Sequence, residues 1–224
     1  MIKVLLILSL ILLSNGIQAQ DSAENKLGTW YMYNGSHKLS QKLDLKTSFH
    51  VRYFEFITEY QQEIYRVGLT FSPSKKWSFT GGMVYSITDT SYKTNQPNLY
   101  EFRFYQDVNL KDKWGLFNIN HRVRLAQRFR EQASQRKTTH RIRYGLFVNY
   151  PVSKKLNLYA FNEIFIKFAA KTFGQNRTGL GFFKQINRKI KLRIGYMHTK
   201  FSDAVSHRLQ LGIILNTNHI KTKV

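Results

Sequence analysis

WGLFNINHRVRLAQRFR (114–130) decides the fold. Every second residue from Phe117 gives Phe117, Ile119, His121, Val123, Leu125, Gln127 and Phe129. Between them stand Asn118, Asn120, Arg122, Arg124, Ala126, Arg128 and Arg130. A period of two held this long marks a β-strand with one apolar and one polar face. Wound as a helix, Arg122, Arg124 and Arg128 would scatter over several faces and no clean apolar stripe would form.

The same alternation extends in both directions. His140, Ile142, Tyr144, Leu146, Val148 and Tyr150 oppose Arg141, Arg143, Gly145, Phe147 and Asn149. Leu156, Leu158, Ala160, Ile164 and Ile166 oppose Asn157, Glu163 and Lys167, with Asn162 and Phe165 breaking the pattern. Ile190 to Tyr196 opposes Lys191 and Arg193, and Val205 to Leu215 opposes Arg208 and Gln210. Towards the N-terminus the signal is noisier: Leu43–Tyr53, Tyr65–Phe71 and Tyr100–Phe104 still alternate, while Gly81-Gly82 predicts a bulge or kink within 77–87. Many of these segments run to about 10 residues or more, the length a tilted membrane strand needs and about twice that of a strand in a soluble protein.

Short lysine-bearing turns punctuate the strands: SQKLDL (40–45), SKKWSF (74–79), KDKWGLF (111–117), SKKLNLY (153–159) and NRKIKLRI (187–194). Lys42, Lys76, Lys113, Lys155 and Lys189 recur at an interval that fits one hairpin each. The alternate connections, 88–97, 131–139 and 168–176, read as longer polar loops. Short periplasmic turns opposite longer extracellular loops are the layout of an outer-membrane barrel. The fold class is therefore all-β: a transmembrane antiparallel up-and-down β-barrel of about 10–12 strands. Five turns imply ten strands and 205–216 adds another. Because such barrels usually have even counts, either 28–38 falls short of a full strand or one more lies near the N-terminus. Asn34-Gly35 is a candidate tight turn there. Trp77 and Trp114, each just after a lysine turn, and Tyr150, just before one, are placed for an aromatic girdle.

Residues 1–19 have the layout of a signal peptide: Lys3, the apolar run Val4–Leu13, and Ile17-Gln18-Ala19 at the cut. Residues 20–224 form one barrel domain. The chain has no cysteine, which removes disulfides, thiolate metal sites and a lipoprotein anchor. Three prolines leave the strands unbroken, and an aromatic content of 15% favours strands and membrane interfaces. A mean hydropathy of -0.39 does not argue for solubility, since alternate residues of a barrel strand can be polar. The net charge of +22 lies on strands at period two rather than in a tail, and with an export signal it points away from nucleic acid. Lipid, lipopolysaccharide and small anions are the expected partners. The oligomeric state is not legible.

GTWYMYNGSHKLSQKLDL (28–45), FHVRYFEF (49–56) and KKWSFTGGMVYS (75–86) carry a family resemblance. With Gly28, Trp30, Asn34, Gly35, Ser36 and Arg52 in place, the chain resembles the outer-membrane β-barrel family known as domain of unknown function 2490. The resemblance implies a barrel of a Gram-negative outer membrane across the mature chain. It carries over no activity and no catalytic residue. The C-terminus, NTNHIKTKV, lacks the terminal aromatic residue common in barrels, which leaves the end of the last strand open.

With polar faces inward, the lumen holds Arg66, Arg103, Arg122, Arg124, Arg128, Arg141, Arg143, Lys167, Lys191, Arg193 and Arg208. The acids placed with them are Asp44, Glu101, Asp107 and Glu163. Unpaired charges in a dry interior cost several kcal/mol each, against a total stability of about 5–15 kcal/mol. A wet or anion-occupied lumen is expected, used for anion binding or passage. Arginines stacked and salt-bridged into a structural plug are the alternative. An outer-membrane hydrolase with its site near the outer rim, or a soluble exported barrel that binds a ligand, are further classes. His198 near Ser202 and Asp203 is the nearest approach to a nucleophile–base–acid set, and spacing alone does not make it one. No phosphate loop, dinucleotide fingerprint or zinc motif is present, so no catalytic residue, cofactor or metal is assigned.

Overall fold

A computed structural model describes residues 26–169 and 172–220. The expected signal segment, residues 1–19, lies outside them. Eleven strands follow in order: β1 Leu27–Lys38, β2 Leu43–Tyr53, β3 Tyr60–Phe71, β4 Trp77–Thr88, β5 Leu99–Trp114, β6 Phe117–Gln132, β7 Gln135–Pro151, β8 Leu156–Lys167, β9 Phe173–Gln185, β10 Ile190–Lys200 and β11 Val205–Asn218. Each pairs with its sequence neighbours, and β1 closes the cylinder on β11. Among the described residues no helix is long and apolar enough to cross a membrane, which says nothing of strands.

The odd count corrects the even one. Residues 28–38 are a full strand, and Asn34-Gly35 lies inside it, paired with Thr47 and Ser48. Direction alternates at every hairpin, so the first and eleventh strands run the same way. Their closure is accordingly parallel, from Leu27↔His207 to Lys38↔Asn218, while all other pairs are antiparallel. The described chain thus begins at one end of the cylinder and finishes at the other. Despite the absent terminal aromatic, β11 is paired on both sides as far as Asn218 or Leu215.

Serine and asparagine side chains build the lysine turns. The Lys42, Lys76 and Lys155 amides donate to Ser40, Ser74 and Ser153 Oγ at 3.3 Å, and the Lys189 amide to Asn187 Oδ1 at 2.9 Å. Each side chain satisfies a backbone donor two residues on, which stabilises the reversal locally. The third turn differs: Lys113 is still in β5, and the chain reverses at Gly115-Leu116, with Gly115 at φ 57°. At the opposite, loop end the expected long connection 131–139 is replaced by a tight hairpin. Gln132 pairs with Gln135, and Ala133 and Ser134 both take positive φ. That conformation matches strand twist, so β6 and β7 run on to 16 and 17 residues. The loop 89–98 remains long, and β9 begins at Phe173, inside the expected loop 168–176.

Outward and inward faces follow period two. Phe117, Val123 and Leu125 point out at 41, 41 and 38% exposure, whereas Arg124 is only 4% exposed and points in. Phe71, Phe79, Phe102, Phe104 and Phe182 join the outer belt. An outer face this apolar would be unfavourable in water. The register of β4 runs without a shift through Gly81-Gly82, which corrects the expected bulge. Gly82 serves the interior instead: a Cβ there would come within 2.7 Å of the Tyr105 ring.

Candidate functional site: the lumen

Cross-strand register assembles one wall of the lumen from β5 to β8. Asp107 stands opposite Arg124 and accepts from its Nε at 2.5 Å and Nη2 at 2.6 Å, a bidentate pair. Glu101 accepts from Arg103 Nε at 2.7 Å and from Arg128 Nε at 3.0 Å, each arginine adding a second bond through Nη2. Glu163 accepts from Arg122 Nη2 at 2.6 Å and Arg143 Nη1 at 3.3 Å. Arg122 and Glu163 sit two strands apart, with Gly145 between them in the same row. Gly145 has no side chain to block them, and a Cβ there would meet Glu163 Cγ at 3.2 Å. Three carboxylates therefore hold five arginines.

The other wall is aromatic. Trp30, Met32, Tyr159, Phe161 and Met197 make one buried cluster, with Phe147 and Phe183 packed against it. The expected basic inner face thus shares the lumen with a buried aromatic cluster. In β8 the period is unbroken: Asn162 is exposed and bonds Asn176 and Thr178, while Phe165 points in and is fully buried. The break lies in residue type, not in periodicity.

Arginines stack on these rings. Arg52 lies 3.5 Å from the Trp30 centroid and Arg177 4.9 Å from it. Phe165 carries Arg143 at 4.0 Å, Arg177 at 4.8 Å and Arg141 at 4.9 Å. Arg193 covers Tyr159 at 4.6 Å, donates to Tyr159 Oη at 2.8 Å and to Gln210 Oε1 at 2.5 Å. Arg66 lies 5.8 Å from Tyr105. Arg208 donates to the Lys26 and His207 carbonyls. Ring faces attract cations by about 0.5–2 kcal/mol, more when dry. Much of the surplus charge is thus held by π faces, amides and carbonyls rather than by acids.

Sequence reasoning passed over Arg177 and left Arg52 off its lumen set. Both share the Trp30 ring. Glycine was the available signal for the inward aromatics: a Cβ at Gly195 would collide with Tyr159 Oη, and one at Gly179 with the Phe161 ring. Of the remaining predicted residues, Asp44 lies 3.6 Å from Lys46 Nζ, Lys167 lines a chamber at the loop end, and Lys191 is half-buried near the turn end. Trp77, Trp114 and Tyr150 sit at turn-side strand ends, with Trp114 and Tyr150 both against Phe117. His198 makes no hydrogen bond to Ser202 or Asp203 among the described residues; its ring lies 5.3 Å from that of His207. Among the described residues no three metal-ligating side chains gather.

The lumen holds chambers at both ends. One of about 390 Å³ at the turn end is lined by Lys46, Arg66, Asp107, Lys111, Arg122 and Arg124 with several hydroxyls. At the loop end lie chambers of about 330 and 480 Å³. No lining residue is common to the two ends. Val84, Tyr105, Phe165 and Met197, each 0–2% exposed, pack the waist of the interior, with Tyr105 also lining the turn-end chamber.

A closed cylinder of long strands, apolar outside and arginine-rich within, defines a porin-like β-barrel. Among solved structures the chain is similar to the NanC porin, with a TM-score of 0.50 and 10% identity over 77% of this chain and 86% of that one. No curated protein matches it in sequence. The family described as "Protein of unknown function (DUF2490)" matches residues 27–210, and the chain belongs to that family.

Proposed function

We propose that the protein is a non-enzymatic barrel of the Gram-negative outer membrane that admits small anions to its lumen and passes them selectively. The charge imbalance inside carries this reading. Glu101, Asp107 and Glu163 are already engaged, and Arg52, Arg66, Arg141, Arg177, Arg193 and Arg208 meet no carboxylate at salt-bridge distance among the described residues. Arg52 Nε, Arg66 Nε and Arg143 Nε are buried without a hydrogen-bond partner there. Such a lumen attracts anions and repels cations. The filled waist makes it a narrow path that opens by side-chain movement, not a wide aqueous pore. The outward apolar belt and the NanC porin likeness support the membrane setting. Trp77, Trp114 and Tyr150 would form its turn-side interfacial girdle, and lipopolysaccharide and phospholipid its surroundings.

Planar-bilayer recordings under a KCl gradient test this. Wild type is expected to give small, anion-selective conductance, and Phe165→Ala, which trims the waist, a larger conductance of the same selectivity. Cation selectivity in either protein would overturn the reading. The filled waist also favours a second one, a permanently closed barrel with an envelope-structural role. Silence of both proteins would establish that alternative.

A further inference from the structure

The larger loop-end chamber, about 480 Å³, is lined by Arg128, Arg130, Lys137, Arg141 and Lys167, and by no aspartate or glutamate. Arg128 is held by Glu101. The other four cations meet no carboxylate at salt-bridge distance among the described residues. Register sharpens the point. Arg130 stands directly opposite Lys137, and Arg141 directly opposite Lys167; the two arginines are half-buried and the two lysines line the chamber from its exposed rim. Like charges directly opposite on one sheet face destabilise the pair, and here two such pairs share one chamber. Arg130 Nε and Thr139 Oγ1, on the same wall, are buried without a hydrogen-bond partner among the described residues. Cations held this close, beside unpartnered donors, are the arrangement an anion of more than one charge relieves.

We propose that this chamber binds a phosphoryl group, free or carried on a small molecule or lipid headgroup. A monovalent ion would neutralise one cation of the four. A phosphate monoester brings a charge of about −1.5 to −2 and three acceptor oxygens, which suit guanidinium forks and ammonium donors together. The chamber exceeds a bare phosphate and falls in the range of about 300–1,000 Å³ typical of small-molecule sites. The site rests on the anionic reading of the lumen only for the sign of its ligand; it does not require passage through the waist.

Isothermal titration of the full mature chain in detergent, with inorganic phosphate, glycerol 3-phosphate and chloride, tests it. Both phosphates are expected to bind at least tenfold more tightly than chloride, and Lys137→Gln/Arg141→Gln to weaken them by about tenfold or more. Heat-modifiable gel migration checks that the variant folds. Phosphate is also expected to raise the unfolding midpoint of wild type and not of the variant. Phosphate binding no tighter than chloride, or a variant that binds as wild type, would sink the proposal. Nanodiscs with diphosphoryl or dephosphorylated lipid A separate the sources: retention of the diphosphoryl form alone assigns the phosphate to lipid, and binding of free glycerol 3-phosphate assigns it to a solute. Anion-selective conductance without phosphate preference removes this site and leaves passage standing. Phosphate binding by a protein silent in bilayers does the reverse.

Discussion

The two walls of the lumen hold the same side chain by different physics. From β5 to β8, arginines meet carboxylates: Asp107 grips Arg124, and Glu163 draws Arg122 and Arg143 together. Around Trp30 and Tyr159, they meet ring faces and amide oxygens instead. An ion pair in a dry setting is strong only while both partners remain, because each charge alone carries its full desolvation cost. A guanidinium over a ring leaves a neutral partner when removed. The acid wall is therefore brittle and the ring wall tolerant of charge loss, yet the ring wall depends on space that glycines provide.

The largest expected effect breaks the acid wall. Glu163→Gln keeps the shape but strands Arg122 and Arg143, and is expected to destabilise the barrel by about 3–5 kcal/mol. Urea unfolding of the protein in lipid vesicles measures it, and a loss near zero would erase the contrast between the walls. Next comes crowding of the ring wall. Gly195→Ala drives a methyl into Tyr159 Oη, at an expected cost of about 1–3 kcal/mol. Adding Tyr159→Phe removes the obstructing oxygen, so the double variant is expected to recover part of that loss; strict additivity in the cycle would show that the hydroxyl is not the obstacle. The smallest effect lies outside both walls. Ser134 holds φ 65° in the β6–β7 hairpin, and Ser134→Gly is expected to stabilise by about 0.5–1 kcal/mol by relieving the left-handed strain. The same unfolding assay reads it, and a loss of stability would contradict the hairpin geometry.

The members of the acid wall were legible as the polar faces of alternating strands, Asp107 and Arg124 on two strands joined by one short turn, but their pairing was not. The ring wall was not, since alternation sorts residues into two faces without saying what the inner face must be made of. Tyr159, Phe161 and Phe165 keep perfect step with Glu163, and only their glycine neighbours across the sheet, Gly179, Gly181 and Gly195, hint that bulky groups turn inward. The 131–139 segment was misread for a related reason: its polar composition resembles a loop, but Ala133 and Ser134 accept a conformation that lets both strands continue.

The sequence alone determined a cylinder of long strands, its apolar exterior and most of its inward arginines, because these depend on period two and on turns built within a few residues. Tertiary closure decided the rest: eleven strands meeting at a parallel seam, a waist packed by Val84, Tyr105, Phe165 and Met197, and which arginines find acids. Those outcomes depend on which residues face one another across a lumen, and contacts between distant strands leave no mark in local pattern.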